Sequence, residues 1–318
     1  MLPRIEIGIF KIPMFALMIW LGIMAFTLVT IYILEKKENT RKEVTNRILM
    51  VCAIGFAALG GFALFFNSLF HSIEKGRLVI GGITWLGGVL GAFPTMVLGI
   101  HFLCPMVKGK ALDYFDLIIP GFTLGHFFGR VGCFFGGCCY GGPTDSIFGV
   151  CFPAGSNAAA KYPGLDGASL PVFPTQLFEA VFELIVFILM MSLYKKLRGR
   201  FLEVYCFGYS VFRFLAEFLR GDNRGSTGFA LSPSQVMSII LLVIGILSLL
   251  YKQGKVFKKL RAKMQAYSDE TDLYGTNVSY DVKKVLKHMK NLQQSGVLSE
   301  DEYELAKEKL NGRLTEKP

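Results

Sequence analysis

Charged residues are scarce in this sequence. They make up 18% of the 318 residues, whereas hydrophobic residues make up 52% and the mean hydropathy is +0.46. Soluble domains carry about 25% charged residues, so this composition argues against a soluble fold and indicates a polytopic membrane protein. The net charge of +10 lies mostly in loops and in the C-terminal tail, and it therefore does not predict nucleic-acid binding.

A cleavable signal peptide is also lacking. The first apolar run is too long for a signal-peptide core, and it follows Arg4, Glu6 and Lys11. We therefore expect this run to remain in the mature protein as its first membrane span.

Seven segments are long and apolar enough to cross a bilayer, which takes about 20 residues in a helix. We predict an all-α polytopic membrane protein with seven transmembrane helices. The predicted spans are 13–34, 48–70, 81–104, 114–135, 172–194, 202–219 and 231–252.

Lysine and arginine distribute unevenly between the loops. By the positive-inside rule, the richer odd-numbered loops and the C-terminal tail are cytoplasmic, so the N-terminus and loop 136–171 face outward. The odd loops contain Lys36, Lys37, Arg41, Lys42, Arg47, Lys108, Lys110, Lys195, Lys196, Arg198 and Arg200. The even loops contain Lys75, Arg77, Lys161, Arg220 and Arg224.

Composition divides the chain into three parts. Residues 1–252 form the seven-helix membrane domain, and residues 253–280 form a basic juxtamembrane segment and a polar linker. Residues 281–318 show helical spacing, a stop at Gly296 and a capping pattern, which predict a small cytoplasmic helical hairpin. This hairpin resembles the short C-terminal domain (SHOCT) of bacterial membrane proteins, and we expect it to serve self-association or docking.

Ionisable residues inside the spans are the strongest functional signal, because each costs about 2.5–3.5 kcal/mol at mid-span. Those that stand out are Arg130, Glu179, Glu183, Arg213 and Glu217. Spacing places Arg213 and Glu217 on one helix face, as a neutralised pair that joins helices or as part of an anion site. In the second interpretation Arg130 and Arg213 converge on a phosphate, which suits the planar arginine fork.

Glycines cluster in "GGITWLGGVLGAF" (81–93) and in "GRVGCFFGGCCYGG" (129–142). They permit either close helix packing or close approach of backbone amides to a ligand. In the second interpretation the candidate substrate-binding glycines are Gly87, Gly88, Gly129, Gly132, Gly137 and Gly141.

Four of the seven cysteines lie at or beyond the end of the fourth span: Cys133, Cys138, Cys139 and Cys151. Cys133 and Cys138 have a zinc-like spacing, but Cys139 and Cys151 make a poor second pair, so we predict no metal site. A disulfide between Cys139 and Cys151 and a catalytic thiol at Cys138 are the other interpretations.

Six ordered motifs resemble those of the prolipoprotein diacylglyceryl transferases, across about 230 residues. The hallmark G-R-x-G-N-F-x-N-G-E-x-x-G resembles "GRVGCFFGGCCYG" (129–141), and "GGITWLGG" is similar to the glycine-rich motif of the third span. The others are "FGVCFPAG" (148–155), "FPTQLFEA" (173–180), "GYSVFRFLAEFLRGD" (208–222) and "LSPSQVMSI" (231–239).

The resemblance implies a bacterial plasma-membrane enzyme without a cofactor. It would transfer the diacylglyceryl group of phosphatidylglycerol to the lipobox cysteine of a prolipoprotein signal peptide. Arg130 and Arg213 would grip the headgroup and Glu217 would support Arg213. Other matching positions are Tyr209, with a catalytic role, and Gln176, Glu179, Asp222 and Gln235; Cys133 occupies a headgroup-side position of the hallmark.

Several positions depart from the family pattern. Leu86 replaces the histidine of the third span, Phe173 replaces a second histidine, and Cys133 and Cys138 replace an asparagine and a glutamate. His126, four residues before Arg130, is a candidate substitute. The alternatives are a related transferase with another acceptor, a lipid-binding or transport module, and a membrane thiol oxidoreductase.

Overall fold

The computed structural model describes residues 4–7, 10–165, 167–222, 226–228 and 230–254, with a few single positions beyond 260. Apart from residues 253–254 and those positions, the predicted linker 253–280 and hairpin 281–318 lie outside the described residues. The described part is mostly α-helical. It begins with a short antiparallel β-hairpin of Arg4–Ile7 (β1) and Phe10–Pro13 (β2), which the sequence did not predict.

Nine α-helices follow this β-hairpin within the described residues. They are α1 (Met14–Ile31), α2 (Lys42–Lys75), α3 (Trp85–Leu103), α4 (Ala111–Phe135), α5 (Asn157–Lys161), α6 (Thr175–Ser192), α7 (Tyr194–Leu197), α8 (Phe201–Ala216) and α9 (Pro233–Lys252). A π-helix (Tyr32–Lys37) extends α1, and 3₁₀-helices precede α4 (Pro105–Lys110) and follow α8 (Glu217–Leu219).

Six of these helices are long and apolar enough to cross a membrane. They are α1 with its extension, α2, α3, α4, α6 and α9, and each overlaps one of the predicted spans. The remaining predicted span, 202–219, coincides with α8 and its 3₁₀ turn, and α8 itself has only 16 residues. The chain is therefore a multi-pass membrane protein with six helices of spanning length among its described residues.

Glycines allow two helix pairs to pack closely. A Cβ atom at Gly22 of α1 would lie 3.0 Å from the carbonyl oxygen of Gly125 in α4. On α3, a Cβ atom at Gly91 would lie 2.0 Å from the ring of Phe62 in α2. Small residues at helix interfaces of membrane proteins permit such close approach of backbones, and here they join α1 to α4 and α2 to α3.

One end of the bundle, called here the basic end, contains the loop after α1, the start of α4, the segment from α7 to the start of α8, and the end of α9. Glu38 accepts hydrogen bonds from Tyr194 and from Arg198 Nε, both at 2.7 Å. The ammonium group of Lys252, at the end of α9, lies 3.2 Å from Asp116 Oδ1 and 2.9 Å from Glu203 Oε2. These contacts bring together segments that the sequence identified as rich in lysine and arginine.

The opposite end, called here the loop end, contains residues 76–84, 136–165, 167–174, 217–222, 226–228 and 230–232. Gly141 N donates to Phe173 O at 2.8 Å and Gly142 N donates to Leu219 O at 2.9 Å, so the segment after α4 bridges the start of α6 and the end of α8. The amide of Ser226 contacts Phe70 O near the end of α2. The loop end thus covers the helix termini nearest to Arg130.

Candidate active site

Arg130 lies in α4, one turn before the loop end, and its side chain is buried. One terminal nitrogen, Nη2, lies 2.7 Å from Glu179 Oε1 of α6 and 3.4 Å from the hydroxyl of Tyr209 in α8. Tyr209 in turn donates to Glu179 Oε1 at 2.5 Å. The structure therefore brings together three predicted site residues from three helices around one buried ion pair.

His126 lies one helical turn before Arg130 and is 1% exposed. Its Nδ1 is 2.8 Å from Glu183 Oε1, and its Nε2 accepts a hydrogen bond from Arg130 Nε at 3.1 Å. This pattern assigns the proton to Nδ1 and leaves the lone pair on Nε2. The ring of Trp85 stacks on the imidazole at a centroid distance of 4.3 Å and holds its orientation.

Arg213 of α8 forms a second buried centre. Its Nη2 donates to Ser234 Oγ at 2.7 Å, at the start of α9, and lies 2.6 Å from Glu217 Oε2. Its other terminal nitrogen, Nη1, is buried and has no hydrogen-bond partner among the described residues. Arg213 lies one helical turn after Tyr209 in α8, and Tyr209 contacts Arg130, so the two centres are neighbours.

Another arginine, Arg220, lies where the chain leaves the 3₁₀ turn after α8 and enters the loop end. Arg220 donates to both carboxylate oxygens of Asp222, at 2.8 and 2.7 Å. Burial acts to lower the pKa of Arg220, but the carboxylate of Asp222 outweighs burial and raises that pKa above its usual value. Asp222 matches a family motif position, and its ion pair with Arg220 stabilises the segment that follows α8.

The turn after α4 is held by the start of α6. Gln176 Nε2 donates to Cys138 O at 2.6 Å and Thr175 Oγ1 donates to Cys139 O at 2.7 Å. The chain reverses through Gly137 (φ +64°) and Cys139 (φ +63°), both in the left-handed region. The seven cysteines carry thiols, and no disulfide joins Cys139 to Cys151.

The predicted glycines separate into two groups. Gly87 and Gly88 pack against α2, where their Cβ atoms would lie 2.7 Å from Phe66 Cβ and from Leu59 O, so the geometry favours the packing alternative for them. The glycines near Arg130 have other surroundings: Gly129 has open space except toward α1, Gly132 contacts α1, Gly137 reverses the turn, and Gly141 approaches Phe173 and Leu219.

Gln235 has a structural contact rather than a contact with Arg213. Its side-chain oxygen accepts from Ser232 N, and its own N–H donates to Ser232 Oγ, which completes a capping box at the start of α9. The contact of Arg213 comes from the neighbouring Ser234, which the sequence analysis did not select. Its position within the "LSPSQVMSI" motif was the available signal.

A largely apolar cavity of about 190 Å³ opens beside this centre. Side chains of α1 and α2, including Ile19 and Phe56, form its walls, and Trp85, His126 and Gly129 form the side nearest Arg130. His126 is the ionisable residue among those that line it. The imidazole of His126 therefore contacts both the buried charged residues and the apolar cavity.

Comparison with known proteins gives one consistent result. Residues 4–251 match the family model described as prolipoprotein diacylglyceryl transferase. The chain is 34% identical over 258 residues to phosphatidylglycerol–prolipoprotein diacylglyceryl transferase 2 of Clostridium perfringens, covering 79% of this chain and 94% of that protein. It is 30% identical to the transferase of Clostridium tetani, covering 74% and 91%, and 28% identical to that of Ehrlichia ruminantium, covering 76% and 93%.

Proposed function

This chain belongs to the prolipoprotein diacylglyceryl transferase family, and we propose that Arg130 and Arg213 hold the phosphate of its donor lipid. As a member it is an enzyme of lipoprotein biosynthesis, which transfers the diacylglyceryl group of phosphatidylglycerol to a prolipoprotein. We propose the thiol of the lipobox cysteine as the acceptor. Family membership selects the transferase over the transport and oxidoreductase alternatives.

The proposed reaction increases the negative charge on the phosphate. A bond forms between the acceptor sulfur and the terminal glyceryl carbon, and the bond from that carbon to the phosphate oxygen breaks. The electron pair leaves with the oxygen, so a singly charged phosphodiester becomes a doubly charged phosphomonoester, and the thiol proton passes to a base. Buried cations fixed at the phosphate stabilise that charge as it develops.

The observation that carries this proposal is that Nη1 of Arg213 has no hydrogen-bond partner among the described residues. A buried N–H group without an acceptor destabilises a protein by about 1–3 kcal/mol. The presence of such a group at Arg213 therefore favours a ligand that accepts its hydrogen bond. Glu217 and Ser234 fix the other terminal nitrogen, Nη2, of the same guanidinium group. A phosphate oxygen matches the missing acceptor in charge and in geometry.

His126 is our candidate for the proton acceptor that the motifs lack. Leu86, at the position of the family histidine, is buried in the hydrophobic core, whereas His126 adjoins Trp85 and lines the cavity. Glu183 holds Nδ1, so Nε2 carries the lone pair. When Arg130 turns its Nε–H toward phosphate, Nε2 becomes available to the thiol proton. Glu179 and Tyr209 then serve to position Arg130.

The apolar cavity supports a place for one acyl chain of the donor. Its walls are formed by aliphatic and aromatic side chains of α1 and α2, and it ends at Gly129 and His126. A lipid whose headgroup lies at Arg130 could extend a tail into this space while the rest of the molecule stays in the bilayer. Gly129, which lines the cavity, has no Cβ atom that would narrow the space on this side.

We propose further that α8 with its 3₁₀ turn is a seventh span of a bacterial inner-membrane protein, with the N-terminus outside and the C-terminus cytoplasmic. The gathering of Glu38, Arg198 and Lys252 at the basic end supports this arrangement, because the positive-inside rule assigns such an end to the cytoplasm. The loop end, with Arg130 close to it, would then face outward. Self-association or docking through residues 281–318 remains part of the proposal.

Replacement of Arg213 by Lys or Ala tests the assignment. The variants and the unchanged protein are reconstituted with phosphatidylglycerol and a lipobox peptide, and thioether product is measured by mass spectrometry. We expect turnover to fall about 10²–10³-fold, as for loss of one donor to a developing oxyanion. Arg198→Ala, which removes an exposed arginine at the basic end, is the matched control and should retain activity. Unchanged turnover in both Arg213 variants would refute the phosphate role.

A further inference from the structure

We propose that Cys133, Cys138 and Cys139 form a binding site for a thiophilic metal ion, with Zn²⁺ as the representative ion. This site is separate from the acceptor chemistry and does not rest on the proposed function. The three sulfur atoms lie within 4.8 Å of one another, although the residues come from the end of α4 and from the turn that follows it.

The sulfur geometry is close to that of a bound ion. Zn–S bonds are about 2.3 Å long, so two sulfurs that share an ion are at most about 4.6 Å apart, and about 3.8 Å apart in a tetrahedral site. Small side-chain rotations therefore suffice for three sulfurs that already lie within 4.8 Å. Three protein ligands leave the fourth position to water or another small ligand.

The backbone around the thiols is held in place by groups outside the cluster. Gln176 and Thr175 donate to the carbonyl oxygens of Cys138 and Cys139, and these two bonds attach the turn to α6. Cys139 adopts a left-handed φ of +63°, which a residue with a Cβ atom rarely takes. This conformation brings a second adjacent thiol to the cluster instead of directing it away.

Two cationic side chains, Arg130 and Arg220, lie near the thiols. Arg130 interacts electrostatically with Cys133 and Cys139, and Arg220 interacts with Cys139. Three thiolates with one divalent ion carry a single net negative charge. Soft thiolate ligands select zinc or copper(I) over magnesium and calcium.

In the sequence analysis, the spacing test for zinc took Cys139 and Cys151 as the second pair of ligands, which is not the grouping in the fold. Cys151 is exposed and is not part of the group whose sulfurs lie within 4.8 Å. In the fold, Cys139 joins the pair Cys133 and Cys138. Cys151 therefore provides an internal control thiol in the same protein.

Differential alkylation of the unchanged full chain tests the site. The purified, reduced protein is freed of metal with a chelator and then exposed to iodoacetamide with and without Zn²⁺, and each cysteine is quantified by peptide mass spectrometry. We expect Zn²⁺ to slow modification of Cys133, Cys138 and Cys139 at least about tenfold, with no effect on Cys151, and a chelator to reverse the protection. Equal modification with and without Zn²⁺ would overturn the proposal.

Elemental analysis of variants identifies the ligands. The unchanged protein and Cys151→Ser should retain about one Zn²⁺ per chain after gel filtration, whereas Cys138→Ser and Cys139→Ser should lose it. Size-exclusion profiles of the variants check that they remain folded. Zn²⁺ retained equally by all four proteins would contradict the assignment. A disulfide between two of the three cysteines in protein prepared without oxygen would also contradict it, because the cluster would then be a redox pair.

Discussion

Each end of the helix bundle contains a paired cation, half-buried Lys252 at the basic end and buried Arg213 toward the loop end, and the two cations differ in their contacts. At the basic end the ammonium group of Lys252 contacts Asp116, Glu203 and the carbonyl oxygen of Gly199, which provide an acceptor for each of its three donors. Toward the loop end, Arg213 contacts Glu217 and Ser234 and retains a buried nitrogen that has no partner in the part of the chain that the structure describes. Lys252 therefore has the contacts of a structural charge, whereas the open donor of Arg213 is the place where we propose that a ligand binds.

The largest expected effect comes from breaking the satisfied centre. Lys252→Met keeps the chain length of the side chain but leaves Asp116 and Glu203 buried without their cation, which should reduce the free energy of unfolding by about 3–5 kcal/mol. Turnover per folded molecule should be unchanged. Thermal and denaturant unfolding in detergent measure the first quantity, and the transfer assay measures the second.

Lys195→Met, which removes an exposed lysine near the same end, is the control and should be neutral. If Lys252→Met instead lowers turnover as strongly as the Arg213 variants, the distinction between the two ends fails.

The next effect concerns the arginine centre. His126→Phe keeps an aromatic ring against Trp85 but removes the acceptor of Arg130 Nε, and a buried hydrogen bond to a charged group contributes about 1.5–3 kcal/mol. We therefore expect turnover to fall about 10–100-fold, with a change in its pH profile because the proposed proton acceptor is lost.

His101→Phe is the matched control, because Trp85, which stacks on His126, begins α3 and His101 lies near the other end of that helix. The same pH profile in His126→Phe and in the unchanged protein would exclude His126 as the proton acceptor.

Gly87 of α3 tests whether packing or ligand contact explains the glycine-rich motif of that helix. In Gly87→Ala the new Cβ would lie 2.7 Å from Phe66 Cβ, so we expect the free energy of unfolding to fall by about 1–3 kcal/mol while turnover per folded molecule stays the same. Gly60→Ala on α2, where a Cβ meets open space, should instead be neutral or slightly stabilising. A large loss of turnover in Gly87→Ala without a loss of stability would favour ligand contact.

The smallest effect concerns the exposed ion pair at the basic end. The hydrogen bond from Arg198, opposed by partial burial and aided by Tyr194, lowers the pKa of Glu38 below 4.5. A lowered carboxyl pKa contributes stability that is present above about pH 4.5 and is lost as the pH falls through the folded-state value. Because Arg198 is exposed, we expect about 0–1 kcal/mol, which Glu38→Gln should remove.

Unfolding of Glu38→Gln and of the unchanged protein, measured over a pH series, checks this prediction. The two curves should differ at neutral pH and converge in acid. Curves that stay parallel at every pH would refute the lowered pKa.

Hydropathy predicted much of the fold, because a bilayer demands about 20 apolar residues per helix and the pattern is local. It located α1, α2, α3, α4, α6 and α9, although it missed the β-hairpin of Arg4–Ile7 and Phe10–Pro13, whose pairing is not visible in hydropathy. Motifs and intramembrane charges selected Arg130, Arg213 and Glu217. They could not pair Arg130 with Glu179 and Tyr209, because these residues come from three helices.

The sequence by itself determined that this protein is a membrane-embedded transferase-like chain with arginines inside its spans, because apolar length and buried charge are properties of individual segments. Only the tertiary structure decided which charges are satisfied. Among the described residues, it gave Lys252 three acceptors and left one nitrogen of Arg213 unpaired. It also placed His126 between Glu183 and Arg130 and gathered three thiols at one turn. Hydrogen bonds and ion pairs act over a few ångströms, so their partners are set by helix packing rather than by spacing along the chain.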